Sequence, residues 1–259
     1  MKQSIIKTIK KGMNLFRYTT KKKRLDDEKV IYENKNFMDI YYKCRPFTIT
    51  GIECIYALYQ ATKYITNAGI DGDFVECGVW KGGSAMVIAY TLIEQNNYER
   101  KIFLYDTYLG MAKPSNEDYS FNESSNTHDA SIEIWKKNQK KNYNNWCYSS
   151  IKEVKRNMKS TNYPIKNIIF IKGKVENTIP KIIPKNISLL RLDTDWYEST
   201  KHELNYLFPL LTINGVLIID DYGFWKGQKK AVDEYFRDNK IPILLNRVDI
   251  QCRLGLKIK

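Results

Sequence analysis

Beyond residue 47 the chain alternates between short apolar runs and longer amphipathic stretches. Five of the runs stop at a polar or glycine-bearing junction. They are Asp73-Phe74-Val75-Glu76-Cys77, followed by glycines; Lys101-Ile102-Phe103-Leu104-Tyr105, ending in Asp106; Ile168-Ile169-Phe170-Ile171, ending at Gly173; Ile187–Leu192, ending in Asp193; and Gly215–Ile219, ending in Asp220-Asp221. Near-continuous apolar runs of this length, separated by helices, predict strands buried on both faces of a parallel sheet. Between them the period lengthens. Ile52, Ile55, Tyr56, Leu58, Tyr59, Tyr64 and Ile65 make a helical stripe over 50–68, broken by Gly69-Ile70-Asp71-Gly72, and a second helix is predicted from about Ser84 to Glu94. Two further runs, about 241–246 and 252–258, lie so close together that they predict an antiparallel hairpin at one edge of the sheet. The expected architecture is therefore α/β, with seven strands, mostly parallel, and helices on both faces.

Two segments depart from this pattern. Between Lys113 and Asn145 the chain is rich in Asn, Ser, Lys and Glu. A polar stretch of that length inside a compact domain predicts a partly helical lid, in which Ile132, Ile134, Trp135 and Trp146 fold onto a ligand. At the other end, residues 1–24 carry nine Lys/Arg and no acid, so of the net charge of +13 only +4 belongs to the other 235 residues. Ile5, Ile6, Ile9, Met13 and Phe16 recur at helical spacing among those lysines. The chain is thus expected to divide into a basic amphipathic arm (1–45) and one domain (46–259) with a lid at about 113–150. The arm is expected to pack on the domain or on a second subunit, giving a homodimer, or to make weak contact with an anionic membrane surface. Its charge is not interleaved with base-stacking aromatics, so no nucleic-acid partner is expected.

No apolar run approaches the ~18–20 residues that span a bilayer. The five cysteines, Cys44, Cys54, Cys77, Cys147 and Cys252, form no CxxC pair. Neither a disulfide framework nor a zinc site is suggested, and a reduced, cytoplasmic location is expected, peripheral at the membrane if the arm binds there.

Candidate chemistry gathers where the runs end, which in open α/β sheets is where ligands bind. Glu76-Cys77-Gly78-Val79-Trp80-Lys81-Gly82-Gly83-Ser84 combines a flexible turn with a helix start whose free N–H groups suit an anion. Asp106, about thirty residues on, is the residue type that accepts hydrogen bonds from ribose hydroxyls, and the two together point to a nucleoside-type cofactor. The acids are the stronger signal. Asp193-Thr194-Asp195 and Asp220-Asp221 end two runs, and if those strands are neighbours their tips lie roughly 5 Å apart. Carboxylates so crowded call for a divalent cation or raised pKa values. Hard oxygen ligands suit Mg²⁺, with Mn²⁺ or Ca²⁺ possible.

These blocks, Asp73–Ser84, Asp106-Thr107-Tyr108-Leu109-Gly110-Met111, Leu190–Thr200 and Asp220-Asp221-Tyr222-Gly223, resemble in order those of the macrocin O-methyltransferase (TylF) family, from roughly Phe47 to Phe236. The resemblance implies a class I, Rossmann-like fold that binds S-adenosylmethionine (SAM) and methylates a sugar hydroxyl with the help of Mg²⁺. It places Asp193, Asp220 and Asp221 at the metal, and Glu76, Gly78 and Asp106 at SAM. Cys77, Gly82, Ser84, Thr107 and Gly173 complete the expected cofactor-binding set. Asp193 and Asp195 are the candidate proton acceptors. Tyr108 departs from the shorter side chain usual in the family. His128 falls in the expected lid, as a base or acceptor contact or as a solvent-exposed loop residue; His202 is expected to be structural. Asp193-Thr194-Asp195 is also a DxD, so a metal-dependent glycosyltransferase is the rival reading, alongside methylation of a small phenol or of nucleic acid.

Overall fold

A computed structural model describes residues 29–121 and 128–259. The basic arm, residues 1–24, and the side chain of His128 lie outside the described residues. The strands are β1 Asp73–Cys77, β2 Ile102–Asp106, β3 Ile168–Lys172, β4 Ile187–Leu192, β5 Leu211–Ile219, β6 Asn246–Arg247 and β7 Arg253–Leu256. They form one sheet in the order β3-β2-β1-β4-β5-β7-β6. The first five are parallel, while β7 runs antiparallel to both β5 and β6. The C-terminal hairpin is shorter than its apolar runs suggested. Residues 241–245 form no ladder, in a segment where Pro242 has no N–H to donate.

Side chains alternate across the sheet, and both faces are apolar. Phe74, Ile102, Leu104, Leu189, Val216 and Ile218 share one core with Ile55 and Leu58 of α2 (Ile52–Asn67) and Val87 and Ile88 of α3 (Gly83–Glu94), beside α1 (Lys35–Cys44). Val75, Phe103, Tyr105, Leu190, Leu192, Leu217 and Ile219 share the other. There they meet helices whose ranges are Tyr197–Leu207 and Lys226–Asp238, through Leu204, Leu207, Val232 and Phe236. A buried Leu or Ile contributes about 1.5–3 kcal/mol. The first face forgoes that gain at two positions near the carboxyl end of the sheet, Glu76 and Arg191, which are register partners on β1 and β4. Polar residues in a place that rewards apolar ones mark a site.

Three further helices lie between β2 and β4 in the chain: α4 (His128–Asn138), α5 (Ile151–Lys159) and α6 (Val175–Thr178); the two that cover the second face are α7 (Tyr197–Leu207) and α8 (Lys226–Asp238). Among the described residues no helix is long and apolar enough to cross a membrane.

Candidate active site

The chain reverses its direction across the sheet between β1 and β4, and the tips of these strands are knitted together. The Asp193 N–H donates to the Cys77 carbonyl (2.8 Å), and the Gly78 N–H to the Tyr105 carbonyl (2.9 Å). Gly78 has φ +84°, and a Cβ there would stand 1.9 Å from the Asp193 carbonyl oxygen. Only glycine lets the turn after β1 approach β4 so closely.

Asp106 holds that turn from the other side. Its Oδ2 accepts from the N–H groups of Val79 (2.7 Å) and Trp80 (3.0 Å), and its Oδ1 accepts from the Tyr108 N–H (2.6 Å). Trp80 (φ 48°) and Tyr108 (φ 50°) are both left-handed, a conformation that bulky residues rarely adopt. The carboxylate thus stabilises two costly turns while facing the cavity. Burial raises its pKa, opposed by these backbone donors. The Thr107 hydroxyl has one proton, directed at the Gly110 carbonyl (2.7 Å). One lone pair of Oδ1 is therefore left for a ligand.

The acids converge. Carboxylate oxygens of Asp193, Asp195 and Asp221 lie within 4.8 Å of one another. Burial raises the pKa of all three, with the Asp193 charge adding to the effect on Asp195 and the Asp195 charge to that on Asp221. Asp220 is held instead by Arg191, whose Nη2 lies 3.0 Å from its Oδ2. Arg191 Nη1 reaches Glu76 (2.6 Å) and Asp193 (2.8 Å), and Nη2 also donates to Thr50 Oγ1 (3.2 Å). The guanidinium is 2% exposed. Five carboxyl groups thus surround one fixed positive charge. If all were ionised, four negative charges would remain unbalanced, so the cluster takes up protons or a cation. Two buried oxygens in it, Glu76 Oε2 and Asp220 Oδ1, have no hydrogen-bond partner.

These groups open onto a cavity of about 650 Å³. Of the residues expected at the site, Gly78, Ser84, Asp106, Thr107, Gly173, Asp193, Asp195, Asp220 and Asp221 line it, and Glu76, Cys77 and Gly82 do not. Glu76 lies beneath the turn, on Arg191. Cys77 points into the core of the second face, and Gly82 (φ 90°) caps α3. From the expected lid, Ile134 and Trp146 reach the cavity, whereas Ile132 and Trp135 do not. Trp135 anchors the segment by donating to the Met111 carbonyl (3.0 Å). Trp146 meets Trp196 edge-on (5.7 Å) and Trp225 (6.2 Å), making an aromatic wall that Phe224 extends. His202 is half-buried, bonded to the Ile179 carbonyl (3.0 Å) and away from the cavity, a structural role as expected.

Several residues of the site were not assigned from the sequence. Arg191 was legible, since an arginine inside an otherwise apolar strand needs a buried acid, and Glu76 is the only acid in the interior of its neighbour. Thr50, Trp196, Trp225 and Asp118 sit on separate loops and left no such signal. Asp118, fully buried, accepts from Ser115 and from the Tyr197 N–H (2.7 Å), tying the 113–150 segment to the start of α7.

Glu203 supports the acidic loop from below. It is fully buried and accepts the Thr194 hydroxyl at 3.0 Å. Burial raises its pKa well above 4.5. A carboxyl that is harder to ionise when folded costs nothing below its unfolded pKa and penalises folding increasingly above it. Glu203→Gln, which mimics the neutral form, is therefore expected to flatten the decline in melting temperature as the pH rises above the ordinary carboxylate range. An unchanged decline would show that Glu203 ionises freely.

A family model described as macrocin-O-methyltransferase (TylF) matches residues 6–254. The chain belongs to that family. It is 27% identical over 188 residues, covering 73% of this chain and 67% of the relative, to demethyldecarbamoylnovobiocin O-methyltransferase of Streptomyces niveus. It is 26% identical, with the same coverage, to 8-demethyl-8-(2,3-dimethoxy-alpha-L-rhamnosyl)-tetracenomycin-C 4'-O-methyltransferase of Streptomyces olivaceus. The solved structure of the O-methyltransferase NovP superposes with a TM-score of 0.71 at 25% identity, covering 82% of this chain and 83% of that one. The fold is the Rossmann-like methyltransferase fold, and Asp193-Thr194-Asp195 belongs to it rather than to a glycosyltransferase. Tyr108 is buried and does not line the cavity, its hydroxyl donating to the Leu104 carbonyl (3.1 Å).

Proposed function

We propose that this TylF-family protein transfers the methyl group of SAM to a hydroxyl of a sugar or glycoside, with a divalent cation, Mg²⁺ by preference, at the acidic cluster. The observation that carries the reading is the meeting of the Asp193, Asp195 and Asp221 carboxylates beside the Gly78 turn and Asp106, within one cavity. The relatives' names support the acceptor class, since one of them specifies a rhamnosyl-tetracenomycin.

The residues fit both groups. The unpartnered Glu76 Oε2 and Asp220 Oδ1 are buried acceptors of the kind that cationic ligands satisfy. SAM supplies a methyl group on a positively charged sulfur, with an adenosine whose ribose suits the free lone pair of Asp106. Asp193 and Asp221, with Oδ1 of Asp220, would hold the cation, which would lower the pKa of an acceptor hydroxyl. Asp193 already gives one oxygen to Arg191. Asp195 is therefore the freer proton acceptor, and its left-handed backbone (φ 68°) turns it toward the cavity it lines. The wall of Trp146, Trp196 and Trp225 offers aromatic faces to the C–H side of a sugar ring and excludes water.

Methyl transfer from labelled SAM to a panel of glycosides, with and without excess EDTA, tests the reading. Transfer to a sugar hydroxyl that EDTA abolishes is expected; full activity in EDTA removes the metal. Trp146→Ala is expected to raise KM for the glycoside by about 3–10-fold, the value of one aromatic contact, without changing SAM affinity. An unchanged KM would place the acceptor elsewhere.

A further inference from the structure

We propose a second cation site, for a thiophilic ion such as Zn²⁺ or Cd²⁺, formed by Cys54, Cys252 and a carboxylate oxygen of Asp220. The two sulfurs and an Asp220 carboxylate oxygen lie within 4.8 Å of one another. The three residues come from distant parts of the chain: Cys54 from the first turn of α2, Asp220 from the tip of β5 and Cys252 from just before β7.

Buried free cysteines usually act as small apolar residues, and one alone would mean nothing. Here two face each other and share a carboxylate that is 8% exposed, with Oδ1 buried and unpartnered. Tetrahedral zinc holds its sulfur ligands at about 2.3 Å, which sets them about 3.8 Å apart. A separation of at most 4.8 Å is within a small side-chain adjustment of that. Two thiolates and one carboxylate form a softer donor set than the all-oxygen cluster, so the two sites sort ions by softness. Asp249 lies in hydrogen-bond contact with Cys54 and accepts from the N–H groups of Gln251 and Cys252, fixing the loop that carries the second thiol. The cavity provides a way in, because Thr50, Asp220 and Gln251 all line it. On binding, each thiol gives up its proton to solvent and no redox step is involved.

Sulfur ligation stands independently of the proposed activity. Its consequence rests on that reading: both ions draw on the Asp220 carboxylate, so a thiophilic ion here excludes the hard one and inhibits.

Zinc X-ray absorption on the full chain, saturated with Mg²⁺ and given one equivalent of Zn²⁺, counts the sulfur ligands. Two sulfurs at about 2.3 Å are expected. The count is expected to fall to one in Cys54→Ser and in Cys252→Ser, and to stay at two in Cys147→Ser, the cysteine that lines the cavity. A wild-type spectrum with oxygen neighbours only overturns the proposal, whatever the variants do. So does a count of two that survives both serine substitutions. Paramagnetic resonance of Mn²⁺ tests the exclusion: its affinity is expected to fall at least about tenfold once zinc is bound, equivalent to about 1.4 kcal/mol. Undiminished Mn²⁺ affinity alongside two zinc–sulfur bonds overturns the shared use of Asp220. If Mn²⁺ binds nowhere, the proposed metal in catalysis fails while the sulfur count still decides this site.

Discussion

Arg191→Ala is expected to cost about 3–5 kcal/mol of stability, because it leaves buried acids without their shared counter-charge. Glu76 is 1% exposed and Arg191 2%. No rearrangement exposes that carboxylate to water without opening the sheet, so it must be protonated or buried as a bare charge. The same substitution frees Asp193 and Asp220 from their ion pairs. Their negative charge then repels the neighbouring acids, and a divalent cation becomes a stabilising ligand instead of an accessory one. Denaturant unfolding with and without Mg²⁺ is the check, with the larger loss expected in the metal-free protein. Arg191→Lys is expected to recover only part of the loss, since an ammonium cannot present the planar fork that spans three carboxylates. A change below about 1 kcal/mol in Arg191→Ala would mean that the acids are neutral in the folded protein and need no counter-charge.

Asp221→Asn is expected to move stability and activity in opposite directions. Asp221 lies in hydrogen-bond contact with both Asp193 and Asp195; burial and the charges of Asp195 and Asp220 raise its pKa, and the contact with Asp193 opposes the rise. Removing one of several mutually repelling groups relieves the metal-free protein, whose melting temperature is expected to rise. Removing a proposed ligand is expected to abolish cation binding. A metal contributes several kcal/mol to such a reaction, so kcat is expected to fall by about 10²–10³-fold. SAM affinity stays unchanged, because the Gly78 turn and Asp106 do not contact this carboxylate. A drop in stability matching the loss of activity would point to misfolding and not to a lost ligand.

Much of this was legible in the residues. Doubly buried parallel strands read as near-continuous apolar runs, and Gly78, Asp106, Asp193 and Asp220-Asp221, which stand where such runs stop, are the residues that the structure brings to one cavity. The helix expected over 50–68 runs Ile52–Asn67, ending just before Gly69–Gly72 break the period, and the one expected from about Ser84 runs Gly83–Glu94. What was hidden was pairing across distance. That Asp195, more than Asp220, completes the close triad depends on Arg191 drawing Asp220 away, and strand spacing alone does not specify which of two adjacent acids a guanidinium will hold. Cys54 and Cys252 are separated by nearly the whole chain, so no motif could join them. The partly helical character of the segment expected to be a lid was visible, but which of its side chains turn inward was decided by Trp135 bonding to the Met111 carbonyl and Trp146 packing on Trp196, contacts with no period to read.

Crystals grown with S-adenosylhomocysteine and Mn²⁺ give the most direct measurement, through anomalous diffraction at the manganese edge. The account predicts one manganese, about 2.1 Å from oxygens of Asp193 and Asp221, with Asp220 Oδ1 turned toward it and the sulfur of the bound nucleoside in the same cavity. Manganese bound away from these carboxylates, or a nucleoside seated elsewhere than against the Gly78 turn and Asp106, would contradict it.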